Sequence, residues 1–188
     1  MNAIRATPNQ LTFLRLCIIP FLALAVLDGH YQTAFALFVI AGVTDGLDGL
    51  LARVLHQRTR LGQYLDPVAD KLLLSTLFLV LHHEGYISRR VTVLVFGRDL
   101  GILIVAAILY AAMGIRDFRP SIFGKGNTVA QIIALVTVLL SRFYAPAWVV
   151  FIRHWSLNAT IVLTVISGLQ YAWQVARRLS MPGVAASS

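Results

Sequence analysis

The sequence has few charged residues and almost no cysteine. Of its 188 residues, only 13% are charged, whereas about 25% is usual in a soluble domain. So few charges cannot cover a water-facing surface, which excludes a soluble globule, and the apolar composition excludes a disordered chain. The single cysteine, Cys17, excludes an intramolecular disulfide framework and any cysteine-based metal site.

Acidic residues are also scarce, with 8 against 16 lysines and arginines and a net charge of +8. In a soluble protein this surplus would indicate a nucleic-acid partner. Here the segments between the basic residues are strongly apolar, so we expect no nucleic acid. The surplus instead indicates cationic loops that face an anionic lipid bilayer.

The sequence does contain long apolar runs, with 58% hydrophobic residues and a mean hydropathy of +0.76. A membrane-crossing helix needs about 20 mostly apolar residues. Six segments meet this requirement, and the apolar stretch 145–152 could extend either of its neighbours. We therefore predict an all-α integral membrane protein, with one transmembrane domain over residues 1–180 and a flexible tail over 181–188. The six predicted transmembrane helices are about 11–28, 33–54, 62–82, 90–113, 122–141 and 156–176.

The distribution of basic residues predicts the orientation of these helices. Ten basic residues fall at the N-terminus, in the loops after the second and fourth helices, and at the C-terminus. Positively charged loops favour the cytoplasmic side. We therefore expect both termini to be cytoplasmic, by default at a bacterial inner membrane. The opposite side carries four basic residues, namely Arg89, Arg90, Arg142 and Arg153.

Five of the eight acidic residues lie inside or at the mouths of apolar segments. A carboxylate at the centre of a span costs about 2.5–3.5 kcal/mol on insertion scales, so such residues face a cavity, a counter-charge or a metal. Ion pairs with Arg53, Lys71 or Arg98 could account for one or two of them, but not for four acids in one hairpin. The five residues are Asp45, Asp48, Asp66, Asp70 and Asp99.

Within the predicted hairpin, acids and small residues recur at helical spacing, which places them on one face of each helix. Because the connecting loop is short, an antiparallel hairpin brings both acid pairs to a similar depth. We expect four carboxylates to converge in a cavity that faces the cytoplasm. The two faces are formed by Asp45, Asp48, Gly49 and Ala52, and by Gly62, Asp66 and Asp70.

Oxygen ligands without histidine or cysteine favour Mg²⁺, Mn²⁺ or Ca²⁺ over Zn²⁺. Two such ions about 4 Å apart can clamp a phosphoryl centre. Small residues beside the acids leave room for a bulky ligand, and Arg53 can neutralise a phosphate. For the glycines, close packing between helices is an equally good interpretation.

The acids and small residues form the pattern Asp45-x-x-Asp48-Gly49-x-x-Ala52-Arg53, eight residues, then Gly62-x-x-x-Asp66-x-x-x-Asp70. This pattern resembles the signature of the CDP-alcohol phosphatidyltransferase family at all eight fixed positions. Thr7-Pro8-Asn9-Gln10-Leu11-Thr12, with Arg15 and Pro20, is similar to the opening of its phosphatidylglycerophosphate synthase and cardiolipin synthase branches.

The resemblance implies a transferase that moves the phosphatidyl group of CDP-diacylglycerol to an alcohol and releases CMP. It implies two Mg²⁺ or Mn²⁺ ions held by the four hairpin aspartates, with Asp70 also acting as general base on the acceptor hydroxyl. It further implies a site for the CDP moiety near Gly49, Ala52, Arg53 and Gly62. Family analogy also suggests a homodimer.

The acceptor alcohol is indicated by departures from the phosphatidylglycerophosphate synthase pattern. That branch usually carries Arg-Glu in the fourth helix, with a further arginine, and Gly-Lys-x-Lys-Thr before the fifth; this chain has Arg98-Asp99 and Gly124-Lys125-Gly126-Asn127-Thr128. The same changes resemble the cardiolipin synthase branch, whose acceptor is phosphatidylglycerol. Fewer cations also suit an acceptor of lower charge, so we favour phosphatidylglycerol over glycerol 3-phosphate. The acceptor-side candidates are Arg98, Lys125, Asn127 and Gln131, with Arg116 and Arg119 as further possibilities.

Simpler interpretations remain open for these acceptor-side residues. Arg98 and Asp99 could form an internal ion pair, and Arg116 and Arg119 could anchor the chain at the lipid surface. For the whole protein, an ion transporter is the alternative from another class, because carboxylates inside a membrane also mark ion paths. A transporter would spread its acids over several helices and depths, however, and a structural scaffold would have no reason to cluster them.

Overall fold

The computed structural model describes residues 7–54, 60–113 and 122–179, and these residues form helices and short turns without any strand. Side chains at 7–11, 47–54, 60–64, 67, 106–107, 109–113 and 178–179 lie outside this description. The helices are α1 (Thr7–Leu27), α2 (Tyr31–Val54), α3 (Arg60–His83), α4 (Arg89–Met113), α5 (Ile122–Leu140) and α6 (Ala147–Leu179).

Each predicted segment corresponds to one of these helices, which confirms the all-α class. Most of the stretch 145–152 belongs to the last helix, which begins at Ala147. The Pro146 carbonyl accepts hydrogen bonds from the Val149 and Val150 amides at 3.0 and 3.2 Å. As a result α6 has 33 residues. At 1.5 Å per residue it is about 50 Å long, which exceeds the hydrocarbon thickness of about 30 Å.

Glycines with left-handed backbone end α1 and α3, with φ angles of 74° at Gly29 and 78° at Gly85. After α1, the His30 amide donates to the Ala25 carbonyl at 2.8 Å and the Gly29 amide donates to the Val26 carbonyl at 3.1 Å. This Schellman arrangement satisfies carbonyls that the helix end leaves free. The turn after α3 repeats it, so glycine allows the chain to turn at the ends of both helices.

Two helices in the described part of the chain are long and apolar enough to cross a membrane, namely α5 and residues 147–177 of α6. Many large apolar side chains are exposed, including Phe21, Leu169 and Trp173. This exposure suits contact with lipid rather than water. The protein is therefore membrane-associated, while six membrane crossings and cytoplasmic termini stay predictions.

The chain divides into two compact units. The first comprises residues 1–88 and 135–153, and the second comprises 89–134 and 154–188. In the first unit, α1 packs against both α2 and α3. The predicted single domain over 1–180 stays a prediction, and the predicted tail over 181–188 lies outside the described residues.

An aromatic cluster lies in the first unit where α2 begins. The Arg142 guanidinium lies over the rings of Tyr31 and Tyr86, 5.3 and 4.0 Å from their centroids. The two tyrosine hydroxyls are 2.7 Å apart. Because Tyr31 precedes Asp45 by fourteen residues, this cluster is about 21 Å along α2 from that aspartate.

Candidate active site

The buried face of α1 carries two polar residues, Thr12 and Arg15, and both are fully buried. They lie three residues apart and therefore share one side of the helix. Ile18, Leu22 and Val26 continue the same buried stripe. Since α1 packs against α2 and α3, the apolar part of the stripe holds the three helices together and the polar part reaches the acids of the hairpin.

The Arg15 guanidinium bridges the two helices of the hairpin. Its Nη2 lies 2.7 Å from Oδ1 of Asp45 on α2, and its Nη1 lies 2.6 Å from Oδ1 of Asp70 on α3. One turn earlier, the Thr12 hydroxyl donates to Oδ1 of Asp66 at 2.5 Å. Three of the four predicted hairpin acids are thus gathered against α1.

Exposure differs sharply across this cluster. The Arg15 side chain is 0% exposed, whereas the side chains of Asp45 and Asp70 are 46% and 43% exposed. The guanidinium therefore contacts these carboxylates from the protein interior, and their outer sides remain accessible. Half-exposed carboxylate oxygens are donors that suit Mg²⁺ or Mn²⁺, so the chemistry of these donors fits the expected cations.

The described acids do not complete a metal site by themselves. No group of three or more histidine, cysteine, aspartate or glutamate side chains within the described part of the chain is arranged to hold a metal ion. The fourth predicted ligand, Asp48, lies outside the described side chains, as do the residues expected around the CDP moiety. Those residues are Gly49, Ala52, Arg53 and Gly62.

Thr12 and Arg15 are the functional candidates that spacing within the hairpin could not reveal. In the sequence they belong only to the opening motif, whereas the expected counter-charges are Arg53, Lys71 and Arg98. The available signal is an arginine inside an apolar segment, because such a buried charge needs an acidic partner. The structure shows that its partners come from two other helices.

In the second unit, Arg98 is held within the protein. Its Nη1 lies 2.7 Å from Oδ1 of Asp99, and its Nε donates to the Ser167 hydroxyl at 3.1 Å. Asp99 is only 5% exposed. The internal ion pair considered for these two residues is therefore present. A cavity of about 460 Å³ lies beside Arg98, with Ile102 and Tyr171 among its mostly apolar lining.

Two other acceptor-side candidates, Asn127 and Gln131, are fully buried one turn apart on α5. The Thr164 hydroxyl donates to Oδ1 of Asn127 at 3.0 Å. Within the described residues, Nδ2 of Asn127 and both polar atoms of Gln131 have no hydrogen-bond partner. Lys125 is exposed, and Arg116 and Arg119 lie outside the described residues.

The chain belongs to the CDP-alcohol phosphatidyltransferase family, because the model of that family matches residues 5–166. The chain is therefore a transferase of phospholipid biosynthesis, and the resemblance first recognised in its aspartate pattern is confirmed. Nothing in the described residues or in these similarities supports ion transport.

Relatives with three different names are similar to this chain. A probable phosphatidylglycerophosphate synthase of Mycobacterium tuberculosis is 36% identical over 181 residues, covering 91% of this chain and 80% of the relative. A CDP-diacylglycerol–glycerol-3-phosphate 3-phosphatidyltransferase of Aquifex aeolicus is 31% identical, covering 87% and 92%. A human cardiolipin synthase (CMP-forming) is 29% identical, covering 73% of this chain and 51% of the relative.

Proposed function

We propose that this protein transfers the phosphatidyl group of CDP-diacylglycerol to an alcohol and releases CMP. The observation that carries the proposal is the gathering of three aspartates from α2 and α3 around Thr12 and Arg15 of α1. A cluster of acids open to one side suits the binding of a diphosphate through divalent cations.

Asp45, Asp48, Asp66 and Asp70 would hold two Mg²⁺ or Mn²⁺ ions. When bound, these ions supply positive charge that stabilises the attacking and leaving oxygens of a phosphoryl transfer. Gly49, Ala52 and Gly62 would leave room for the nucleotide, and Arg53 would neutralise a phosphate. This assignment extends the family pattern to residues whose side chains lie outside the described part of the chain.

Asp70 would act as the general base. Its carboxylate accepts the proton of the acceptor hydroxyl, whose oxygen attacks the β-phosphorus of CDP-diacylglycerol while the bond to CMP breaks. One oxygen of Asp70 contacts Arg15 at 2.6 Å, and the side chain is 43% exposed. The carboxylate is therefore both oriented and accessible, as a general base needs to be.

We favour phosphatidylglycerol as the acceptor, which would make the protein a cardiolipin synthase. The support is the low charge of the acceptor-side candidates. Arg98 is neutralised by Asp99 at 2.7 Å, and Asn127 and Gln131 are uncharged amides. Lys125 is the remaining cation among these four residues. A phosphodiester carries less charge than a phosphomonoester, so it suits a site with fewer cations.

Glycerol 3-phosphate is the second candidate acceptor. The relatives named for phosphatidylglycerophosphate synthesis are 36% and 31% identical and are covered over 80% and 92% of their length. Both values exceed those of the human cardiolipin synthase. Overall similarity and local charge thus favour different acceptors. A homodimer and a cytoplasmic active site stay predictions.

One assay tests the proposal. The purified full chain in detergent is given CDP-diacylglycerol with Mn²⁺ or Mg²⁺, and phosphatidylglycerol or glycerol 3-phosphate is added in separate reactions. We expect CMP release and cardiolipin formation with phosphatidylglycerol. Phosphatidylglycerophosphate formation alone would establish the second candidate, and no CMP with either acceptor would contradict the proposed transfer.

A further inference from the structure

We infer that Arg15, assisted by Thr12, is a positioning residue that sets the separation of the Asp45 and Asp70 carboxylates for cation binding. The inference rests on the proposed function, because it concerns the same aspartates. It adds a third helix to a site whose aspartate pattern lies on α2 and α3.

The first argument is burial. Arg15 is 0% exposed within the first unit, and a fully buried guanidinium is tolerated only where acids pair with it in good geometry. Its two ion pairs, at 2.7 and 2.6 Å, meet that condition. Arg15 therefore does not serve as a lipid-surface anchor, unlike an arginine in a loop.

The second argument is the shape of the guanidinium. It is planar, and its two terminal nitrogens are a fixed distance apart. Nη2 contacts Asp45 and Nη1 contacts Asp70, so one rigid group determines how far apart two carboxylates on different helices can lie. The Thr12 hydroxyl, on the same face of α1, restrains Asp66 through one hydrogen bond.

The third argument is the side from which α1 approaches. These three contacts of Thr12 and Arg15 use the Oδ1 atoms of the aspartates, while Asp45 and Asp70 remain almost half exposed. Hydrogen bonds made to the back of metal-binding carboxylates orient them toward the metal. Losing such a bond typically lowers metal affinity or activity about 10- to 100-fold.

A simpler alternative is that Arg15 only offsets negative charge. Replacement by lysine separates the two possibilities, because lysine keeps the charge but concentrates it on one compact ammonium. Such a group cannot reproduce the two-sided contact of Arg15 with Asp45 and Asp70. If charge alone matters, Arg15→Lys will behave like the original protein.

The experiment measures Mn²⁺ binding directly, by the electron paramagnetic resonance signal of free Mn²⁺, on the full chain in detergent without lipid substrate. Arg15→Lys is compared with the original chain and with Arg142→Lys, a matched change at the aromatic cluster. We expect Mn²⁺ affinity to fall about tenfold for Arg15→Lys and to stay unchanged for Arg142→Lys. Equal affinities for all three proteins would overturn the inference.

A second variant covers the case in which Arg15→Lys does not fold. Thr12→Val has nearly the same shape and removes only the hydroxyl that donates to Asp66. We expect its Mn²⁺ affinity to fall at least threefold while its melting temperature stays within a few degrees of the original. If Arg15→Lys does not fold, unchanged Mn²⁺ binding by Thr12→Val is enough to overturn the inference.

The measurements keep this inference separate from the proposed function. An original chain that binds Mn²⁺ and releases CMP while Arg15→Lys and Thr12→Val match it refutes only the positioning role. An original chain that neither binds Mn²⁺ nor releases CMP refutes the proposed transfer, and the positioning role fails with it.

Discussion

Two arginines of this protein, the fully buried Arg15 and the mostly buried Arg98, are neutralised in different ways. Arg15 in the first unit contacts acids that are 30 and 55 positions away in the sequence, whereas Arg98 in the second unit contacts its immediate neighbour Asp99. The acids around Arg15 are nearly half exposed, while Asp99 is 5% exposed. Arg15 therefore organises acids that remain open to ligands, and Arg98 forms a closed pair whose charge is already satisfied.

The largest effect that we expect comes from removing the proposed base in the first unit. Asp70→Asn leaves the shape of the side chain but cannot accept the hydroxyl proton. We expect kcat to fall about 10²- to 10⁴-fold, while CDP-diacylglycerol binding is partly kept. Single-turnover CMP release and equilibrium nucleotide binding provide the two readouts.

Near-normal CMP release by Asp70→Asn would remove Asp70 from the role of base. The matched control is Asp28→Asn, at the turn after α1. Asp28 is exposed and is not assigned to the site, so its substitution is expected to leave turnover unchanged.

The ion pair of Arg98 and Asp99 in the second unit predicts a loss of stability that a second substitution should reverse. Arg98→Gln leaves the buried Asp99 carboxylate without its guanidinium, which costs about 3–5 kcal/mol of unfolding free energy. The double variant Arg98→Gln, Asp99→Asn removes both charges and is expected to regain most of that loss. Thermal unfolding in detergent measures both variants against the original chain.

If the double variant is as unstable as Arg98→Gln, the pair is not the reason for the loss. The corresponding changes in the first unit are Arg15→Gln alone and Arg15→Gln with Asp45→Asn. Their thermal unfolding is compared with that of the Arg98 variants. Because Asp45 and Asp70 are partly hydrated, Arg15→Gln alone is expected to destabilise the protein less than Arg98→Gln does.

The helices, and the position of the acids within them, could be predicted from the sequence for simple physical reasons. Apolar runs of membrane length are separated by polar or turn-forming residues, and two of these, Gly29 and Gly85, take left-handed backbone where α1 and α3 end. The spacing of Asp66 and Asp70 places them on one face of a helix. These features depend on local geometry, which the order of residues determines.

Features that depend on which helices meet could not be predicted. The sequence shows that Arg15 lies inside an apolar run, but it does not reveal that this arginine lies against both Asp45 and Asp70. The start of α6 was equally open, because residues 145–152 are apolar and suit either neighbouring helix. By contrast, Arg98 and Asp99 are adjacent, so their pairing could be considered from the sequence alone.

Replacing the buried amide of Gln131 in the second unit is expected to raise stability and to weaken acceptor binding. Gln131 is fully buried, and its two polar atoms have no hydrogen-bond partner among the described residues. A buried polar group without a partner costs about 1–3 kcal/mol. We therefore expect Gln131→Met to raise the free energy of unfolding by about 1 kcal/mol, yet to raise the KM for the acceptor severalfold.

Thermal unfolding and acceptor titration at saturating CDP-diacylglycerol measure these two effects. A Gln131→Met protein that is more stable and has an unchanged acceptor KM would assign Gln131 to helix packing alone. The matched control is Gln170→Met on α6: Gln170 also has a buried oxygen without a partner among the described residues, but it is not an acceptor-side candidate.

The smallest effect is expected at the aromatic cluster, about 21 Å along α2 from Asp45. The Arg142 guanidinium stacks over Tyr31 and Tyr86 at 5.3 and 4.0 Å, and a cation–π contact at an exposed site contributes about 0.5–1 kcal/mol. Arg142→Ala should therefore lower the free energy of unfolding by about 1 kcal/mol and leave kcat and Mn²⁺ affinity unchanged. A fall in Mn²⁺ affinity as large as that of Arg15→Lys would mean that any arginine in the first unit affects the aspartates. Unchanged Mn²⁺ affinity would assign the effect on the aspartates to Arg15. Of the two arginines, Arg15 is the one whose guanidinium contacts both α2 and α3.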